Sequence, residues 1–502
     1  MKLEDPDYDK LIDLYTRLEF NSFLKKLDYK PAVEKQPAKE INVEISIIDD
    51  IESLDKLSTF VSEEKVYLKV FGDLNHIQKP FIEGVFLLNE NKAFYVDVDA
   101  IGIDNVVDAL NKYSMSFVGH DIKDDLYSLM CHGLNNFNVA FDTAVCEYVI
   151  DPSRSKYELK SLALERLHLA LESEEDFNKS QGQIGFFEDN RITLAEYAKS
   201  LGIAVLQLIE VQKQLIAERK LDTVLYEAEL PLIEVLASME KEGIKVNAEF
   251  MDEFGNELKN KISVLEAEIC DMAGKKFNIN SPAQLGVVLF EDLKLPNGKK
   301  TKRGYSTSAE VLEKIKDEHP IVNAVLEYRN LTKLNSTYVD GMKPLIGADG
   351  KIRAHFQQTV TATGRISCTE PNLQNIPIRI EQGRLIRKVF HPMEGNTFVD
   401  SDYSQIELRV LAHMSGDKTM QDAFNSDADI HTITATQIFD VLDFLVTDDM
   451  RSRAKTVNFG IIYGMSEYGL AKNLKISAVE ARNYIAAYFK EYPEVKEYMD
   501  SN

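Results

Sequence analysis

The stretch "FVDSDYSQIELRVLAH", residues 398–413, decides how the chain is read. Within Thr397 to Asp402, the carboxylates Asp400 and Asp402 alternate with Val399 and Ser401, so a strand here would set both on one face at its C-terminal end. A helix is predicted to follow at once, because Leu408, Leu411 and Ala412 fall at helical spacing. Ser404 and Glu407 precede them as S-x-x-E, the pattern of a capping box. Aspartates at a strand end suit either a water-satisfied loop or a hard divalent cation such as Mg2+, held on a rigid element with positions open for phosphates.

A second stretch, "TDDMRSRAKTVNFGIIYG" at 447–464, places Arg451, Lys455, Phe459 and Tyr463 four residues apart. That interval keeps them on one slowly drifting helix face. Two cations followed by two aromatic rings match neither a core stripe nor an ordinary solvated stripe. They suit a nucleotide, with cations on a triphosphate and rings against a sugar or base.

Working outward, 502 residues exceed one core, and about 150 residues per domain suggests three domains. Cys131, Cys146, Cys270 and Cys368 are scattered without a CxxC pair, so neither a disulfide framework nor a zinc ribbon is expected. The N-terminus is acidic, and no uninterrupted run of about 18 apolar residues occurs, which predicts a cytoplasmic protein with no membrane partner. A net charge of −24 speaks against nucleic acid until its distribution is considered. Between 351 and 388, Lys351, Arg353, Arg365, Arg379, Arg384, Arg387 and Lys388 face only Glu370 and Glu381, and "KKTKR" forms a second basic knot at 299–303. Each is a solvated surface or a phosphate contact.

Residues 1–40 read as a helical linker, with Leu11, Leu14, Leu18, Phe23, Leu24 and Leu27 near helical spacing. From 41 to 220 come β-rich runs ("INVEISII", "KVYLKVF", "GVFLL", "AFYVDV") and then helical sequence, a pattern for an α/β domain with a mixed sheet. Long amphipathic helices dominate 221–347, with Ser281 and Pro282 as an N-cap and first turn and Thr307 and Glu310 at capping-box spacing. Strand and turn texture returns beyond Lys351.

"DYSQIELRVLAH", "RSRAKTVNFGIIYG", "TVTATGRISCTEPNLQNIP" and "DIHTITATQIF" resemble the signature stretches of family A DNA polymerases, and the similarity runs from about residue 8 to the end. The resemblance implies a multidomain α/β and α+β fold: an RNase H-like 3'-5' exonuclease-type domain at 41–220, then a right-hand polymerase domain at 221–502. Within the latter the thumb would be about 240–347, the palm about 221–239 and 348–415, and partial fingers about 416–502. The implied activity is DNA-templated DNA synthesis by two-metal phosphoryl transfer, with Mg2+ as cofactor and primer-template DNA and deoxynucleoside triphosphates as partners of a monomer. Asp402 would hold both catalytic metals, with the Tyr403 carbonyl as a further ligand. Tyr403, Gln405, Glu407, His431, Arg451, Lys455, Phe459 and Tyr463 would form the nucleotide pocket. In it Glu407 would exclude a 2'-hydroxyl, Arg451 and the catalytic Lys455 would grip the triphosphate, and His431 would touch the β-phosphate. Arg365, Gln374 and Asn375 would face the duplex minor groove, and Lys299, Lys300, Lys302 and Arg303 would line its backbone.

The chain also departs from the family pattern. Val70 and Gly72 of "VYLKVFGD" and Leu201 of "YAKSL" stand where exonuclease carboxylates are expected, and only Asp125 of "GHDIKDDLYSL" is kept. One carboxylate cannot build a two-metal site, so no proofreading is expected. Only "LYTRLEFNSFLKKL" resembles the segment after a 5'-nuclease domain, so flap removal is not expected either. The family's later His-Asp-Glu motif would follow Asn502, and no "HDE" occurs in these 502 residues. Weak primer-template binding with near-background extension is therefore expected. The competing reading is a non-catalytic DNA- or nucleotide-binding fragment; a DEDD-type exonuclease is disfavoured by the missing acids.

Overall fold

The computed structural model describes residues 10, 11, 14, 15, 43–61, 63–74, 79–172, 177, 190–296, 300, 301, 304–378 and 381–501. Most of the linker helix expected over 1–40 lies outside these residues, as do Lys299, Lys302 and Arg303. The chain divides into two compact units, 1–397 and 398–502.

The first unit opens on the β-branched and aromatic runs. The four runs fold as β1 (Ile45–Ile48), β2 (Val66–Asp73), β3 (Phe81–Leu88) and β4 (Ala93–Asp97); two further strands, β5 (Met115–Gly119) and β6 (Phe137–Asp142), arise in sequence expected to be helical, and the order is β1-β4-β3-β2-β5-β6. β2–β3 and β3–β4 pair antiparallel, whereas β1–β4, β2–β5 and β5–β6 pair parallel. The expected mixed sheet is therefore present. Val85, Phe86, Leu87 and Leu88 on the central β3 are all buried, as a strand covered on both faces requires.

Gly72 marks a register shift in the β2–β3 pairing. Its φ is +146°, and a Cβ there would meet the Phe81 carbonyl oxygen at 2.0 Å, so the bulge needs glycine.

After α1 (Lys123–Cys131) in the chain, the helix α2 (Asn190–Arg219) packs along this sheet through Ala195, Ala198, Val205 and Ile209. By length and composition alone α2 could cross a membrane; here its apolar side chains belong to the sheet core. α3 (Leu230–Glu242) packs on α1. Next come α4 (Ala248–Ala273), capped by Asn247, and α5 (Pro320–Leu334), which pack together over Leu258, Leu331 and Leu334.

Ser281 accepts from the Gln284 amide, as predicted for an N-cap. The predicted Thr307–Glu310 box does not form. Ser308 occupies the N-cap position, and the Thr307 hydroxyl is buried and engaged by the Arg329 guanidinium at 3.1 Å. Tertiary pairing outcompetes the local cap. Of the basic knot, Lys300 and Thr301 are described, and they pair antiparallel with Gly304–Tyr305 in a minimal hairpin. A second hairpin pairs β7 (His355–Gln357) with β8 (Ser367–Thr369), the texture expected beyond Lys351.

The second unit is helical: α6 (Ile406–Ser415), α7 (Ile430–Phe439), α8 (Asp448–Ile462) and α9 (Ala478–Glu491) surround Leu408, Val457, Ile461, Tyr488 and Tyr492. Two expectations fail at its start. The strand predicted for Thr397 to Asp402 is absent: 397–403 is neither helix nor strand, and Val399 is 87% exposed. A strand exists by pairing, and no described strand pairs with this segment. The Ser404–Glu407 capping box is absent too. Gln405 is the N-cap, in the left-handed region at φ 54°, with no side-chain cap, so Ser404 stands outside the helix.

Candidate functional site

In the second unit, α8 carries the cation and aromatic stripe. Thr447 caps it by accepting from the Met450 amide, with Asp448 and Asp449 in the positive first turn. Ala454, Val457, Asn458 and Ile461 face the core, which turns Lys455 and Tyr463 outward. Tyr463 directly follows the last helical residue. The spacing read from the sequence thus becomes a real surface row.

α7 adds two groups to this row. Asp429, its N-cap, accepts from the His431 amide at 3.0 Å and the Thr432 hydroxyl at 3.0 Å. The same carboxylate pairs with the Arg451 guanidinium at 2.5 Å. Burial pushes Asp429 up, and the Arg451 bond and its other donors more than offset this, leaving it below the usual carboxylate range. The His431 ring is 2% exposed and tilted against Phe459 at 5.9 Å between centroids. Burial lowers its pKa to about 4, assisted by the charges of Arg451 and Lys455 and opposed by Asp429. At neutral pH it is an uncharged imidazole among cations. Asp429 was not singled out from the sequence, although its position before an apolar helical run is an N-cap signal.

Glu407 lies on α6, and its carboxylate accepts from the Tyr463 hydroxyl at 2.9 Å. The structure therefore joins the acidic motif to the end of the cation stripe. Asp400, Asp402, Tyr403 and Gln405 precede α6; Tyr403 is 80% exposed, and Asp402 forms no hydrogen bond or ion pair among the described residues. The Asp402 carboxylate and Tyr403 carbonyl are hard oxygen donors of the kind Mg2+ takes, and they fit one exposed ion.

In the first unit, Arg365, Gln374 and Asn375 are exposed on and beside the β7–β8 hairpin. The Gln374 amide donates to the Ile366 carbonyl at 3.1 Å, and Tyr338 holds the Asn375 carbonyl. Tyr148, from the six-stranded domain, donates to the Thr361 carbonyl at 2.8 Å and accepts from the Gly364 amide at 3.1 Å. The loop bearing Arg365 is thus braced at both carbonyl and amide.

At the sheet, Val70 is buried and donates its amide to Asp125 at 3.1 Å, while Lys69 pairs with the same carboxylate at 3.2 Å. Leu201 packs against the core. Burial raises the Asp125 pKa to about 6, with Lys69 opposing. Among the described residues, the grouping with metal-ligand spacing is Asp124, Glu240 and His355. Its cation is already present: Lys123 Nζ lies 2.7 Å from Glu240, 3.1 Å from Asp124 and 3.1 Å from His355. These residues do not fit a further ion.

Residues 248–502 match the model of DNA polymerase family A, and 66–179 match that of the DNA polymerase I ribonuclease H-like domain. The DNA polymerase I of Caldicellulosiruptor bescii is 39% identical over 510 residues, covering 100% of this chain and 56% of that protein. That of Geobacillus stearothermophilus is 39% identical over 498 residues, with coverages of 99% and 56%. The chain therefore spans little more than half the length of these relatives. The solved POL domain of Pol1 from M. smegmatis, in complex with DNA primer-template and dNTP, aligns at TM-score 0.79 and 31% identity, covering 91% of this chain and 78% of that one.

Proposed function

Because the chain belongs to DNA polymerase family A, we propose that its work is template-directed addition of deoxynucleotides to a primer 3' end. The observation that carries this is the α8 row, Arg451, Lys455, Phe459 and Tyr463, with His431 beside it. Arg451 and Lys455 bind the triphosphate as paired cations, Lys455 meets the charge that develops on the leaving pyrophosphate, and Phe459 packs on the nucleotide. Glu407 occupies the sugar's 2' side. Tyr463, in contact with Glu407, closes the templating side.

The duplex runs along Arg365, Gln374, Asn375 and the 299–303 loop. The palm comprises about 221–239 and 348–415, the thumb about 240–347 and the fingers about 416–502. Asp402 and the Tyr403 carbonyl would hold Mg2+, which when bound would supply positive charge for phosphoryl transfer. In this reading the protein works as a monomer in the cytoplasm.

The test is formation of a ternary complex on a dideoxy-terminated primer-template, which needs binding and no chemistry. The complementary triphosphate should stabilise the complex over the three mismatched ones, and Lys455→Ala should abolish that preference. Equal effects of all four triphosphates would overturn the reading.

A second reading, binding without turnover, is favoured by Asp402, since among the described residues it belongs to no group of three or more His, Cys, Asp or Glu side chains in metal-ligand spacing. Mg2+-dependent primer extension, lost on Asp402→Ala, would dismiss that second reading.

A further inference from the structure

Asn458 sits one residue from Phe459 on α8, fully buried, with its amide turned toward α7. Its Nδ2 lies 2.8 Å from His431 Nδ1. An amide nitrogen can only donate, so Nδ1 is the bare, accepting nitrogen and the ring proton of the neutral imidazole is on Nε2. Behind the amide a buried relay follows: Thr434 Oγ1 lies 3.0 Å from Asn458 Oδ1, 2.8 Å from the Ile430 carbonyl and 3.2 Å from the Tyr492 hydroxyl, so its one proton is shared between two acceptors and it is the Nδ2 contact that sets the ring. Thr434 and Tyr492 are buried as well. The outer end of the relay is held by the His431 amide on Asp429 and the ring against Phe459.

We propose that Asn458 is a positioning residue: by donating its amide to Nδ1 it locks His431 as the Nε2–H tautomer, giving the triphosphate a neutral hydrogen-bond donor. This rests on the nucleotide reading above. Among the described residues Nε2 has no hydrogen-bond partner, so its proton is available. The chemistry explains the residue type. Aspartate at 458 would accept, draw the proton to Nδ1 and turn a lone pair toward the phosphates. Leucine would leave the tautomer unset and Nδ1 buried without a donor. A neutral donor also avoids placing a third cation beside Arg451 and Lys455 before an anion arrives.

The experiment combines a spectroscopic and a binding readout on the 502-residue chain. With 15N-labelled histidine, the signal lost in His431→Gln identifies the ring. At pH 7.5 the unmodified chain should show Nε2 protonated and Nδ1 bare, and Asn458→Asp should move the proton to Nδ1. For Mg-dTTP opposite adenine in the dideoxy-terminated complex, Asn458→Leu should weaken binding about tenfold, the scale of one buried hydrogen bond. In a His431→Ala background the same change should have no further effect, an outcome that general loosening of α8 would not give. A proton on Nδ1 in the unmodified chain, or equal losses in both backgrounds, would overturn the role of Asn458 alone. Absence of any dTTP binding by the unmodified chain would overturn the nucleotide reading together with it.

Discussion

His431 shows what burial does to a single residue. Its folded pKa of about 4 lies below the free value near 6.5, so between them the unfolded chain binds the extra proton. Stability should be full above about pH 6.5 and fall as pH drops toward 4, by up to about 3 kcal/mol from this group. His431→Gln should flatten that slope by one proton's worth in urea unfolding measured across pH. An unchanged slope would mean that the ring charges in the native state. Glu407 carries a different prediction. Glu407→Ala should cost the ternary complex at least about tenfold of its preference for deoxy- over ribonucleoside triphosphate, the scale on which a pocket rejects one added group. Retained selectivity would leave Glu407 as a partner of Tyr463 and nothing more. Both roles depend on neighbours that local pattern does not show: S-x-x-E predicted a cap for Glu407, and the structure gives it Tyr463 instead.

Among elements, the contact of α1 with α3 and β7 is centred on Lys123. Glu240 is fully buried and its pKa is raised by that burial, with Lys123 opposing. Glu240 also accepts from the Phe356 amide at 2.6 Å, so the ammonium ties the six-stranded domain to the β7–β8 hairpin. Lys123→Met should cost about 3–5 kcal/mol, because it strands a buried carboxylate, whereas adding Glu240→Leu should restore most of it. Guanidinium unfolding followed by a probe in the first unit measures both. If the double variant is no more stable than the single one, the packing of Lys123 matters more than its charge. Gly72 lies in the same sheet. With the Phe81 carbonyl 2.0 Å from any Cβ, an acidic side chain cannot be placed at that position without moving β3.

At the scale of the whole molecule, a chain of net charge −24 is proposed to bind a polyanion. Binding must then come from local basic surface, and long-range attraction is weak or repulsive. Primer-template affinity should fall steeply with salt, and Arg365→Ala should weaken binding while leaving the slope of log K against log salt nearly unchanged, as loss of a groove contact does. An Arg365→Ala slope lowered by about 0.9 would move Arg365 from the groove to the phosphate-contacting surface. Its loop is braced by Tyr148 from the six-stranded domain, which gives that domain a structural part in the proposed DNA surface.

What the sequence by itself determined was whatever depends on period and composition. β-branched and aromatic runs specified β1 to β4, though not β5 and β6, and four-residue spacing put Arg451, Lys455 and Phe459 on one face of α8 with Tyr463 at its C-cap, because covalent geometry sets those periods. The family was legible because its motifs are contiguous in the chain. What only the tertiary structure decided were matters of partnership. Apolar sequence at 397–402 remained exposed and unpaired, because a strand needs a neighbour that its own residues cannot supply. The Lys123 cluster gathers residues from positions 123, 124, 240 and 355, and the Asn458 relay reaches from 431 to 492. No local pattern marks either, since a buried hydrogen bond is fixed by where the helices dock.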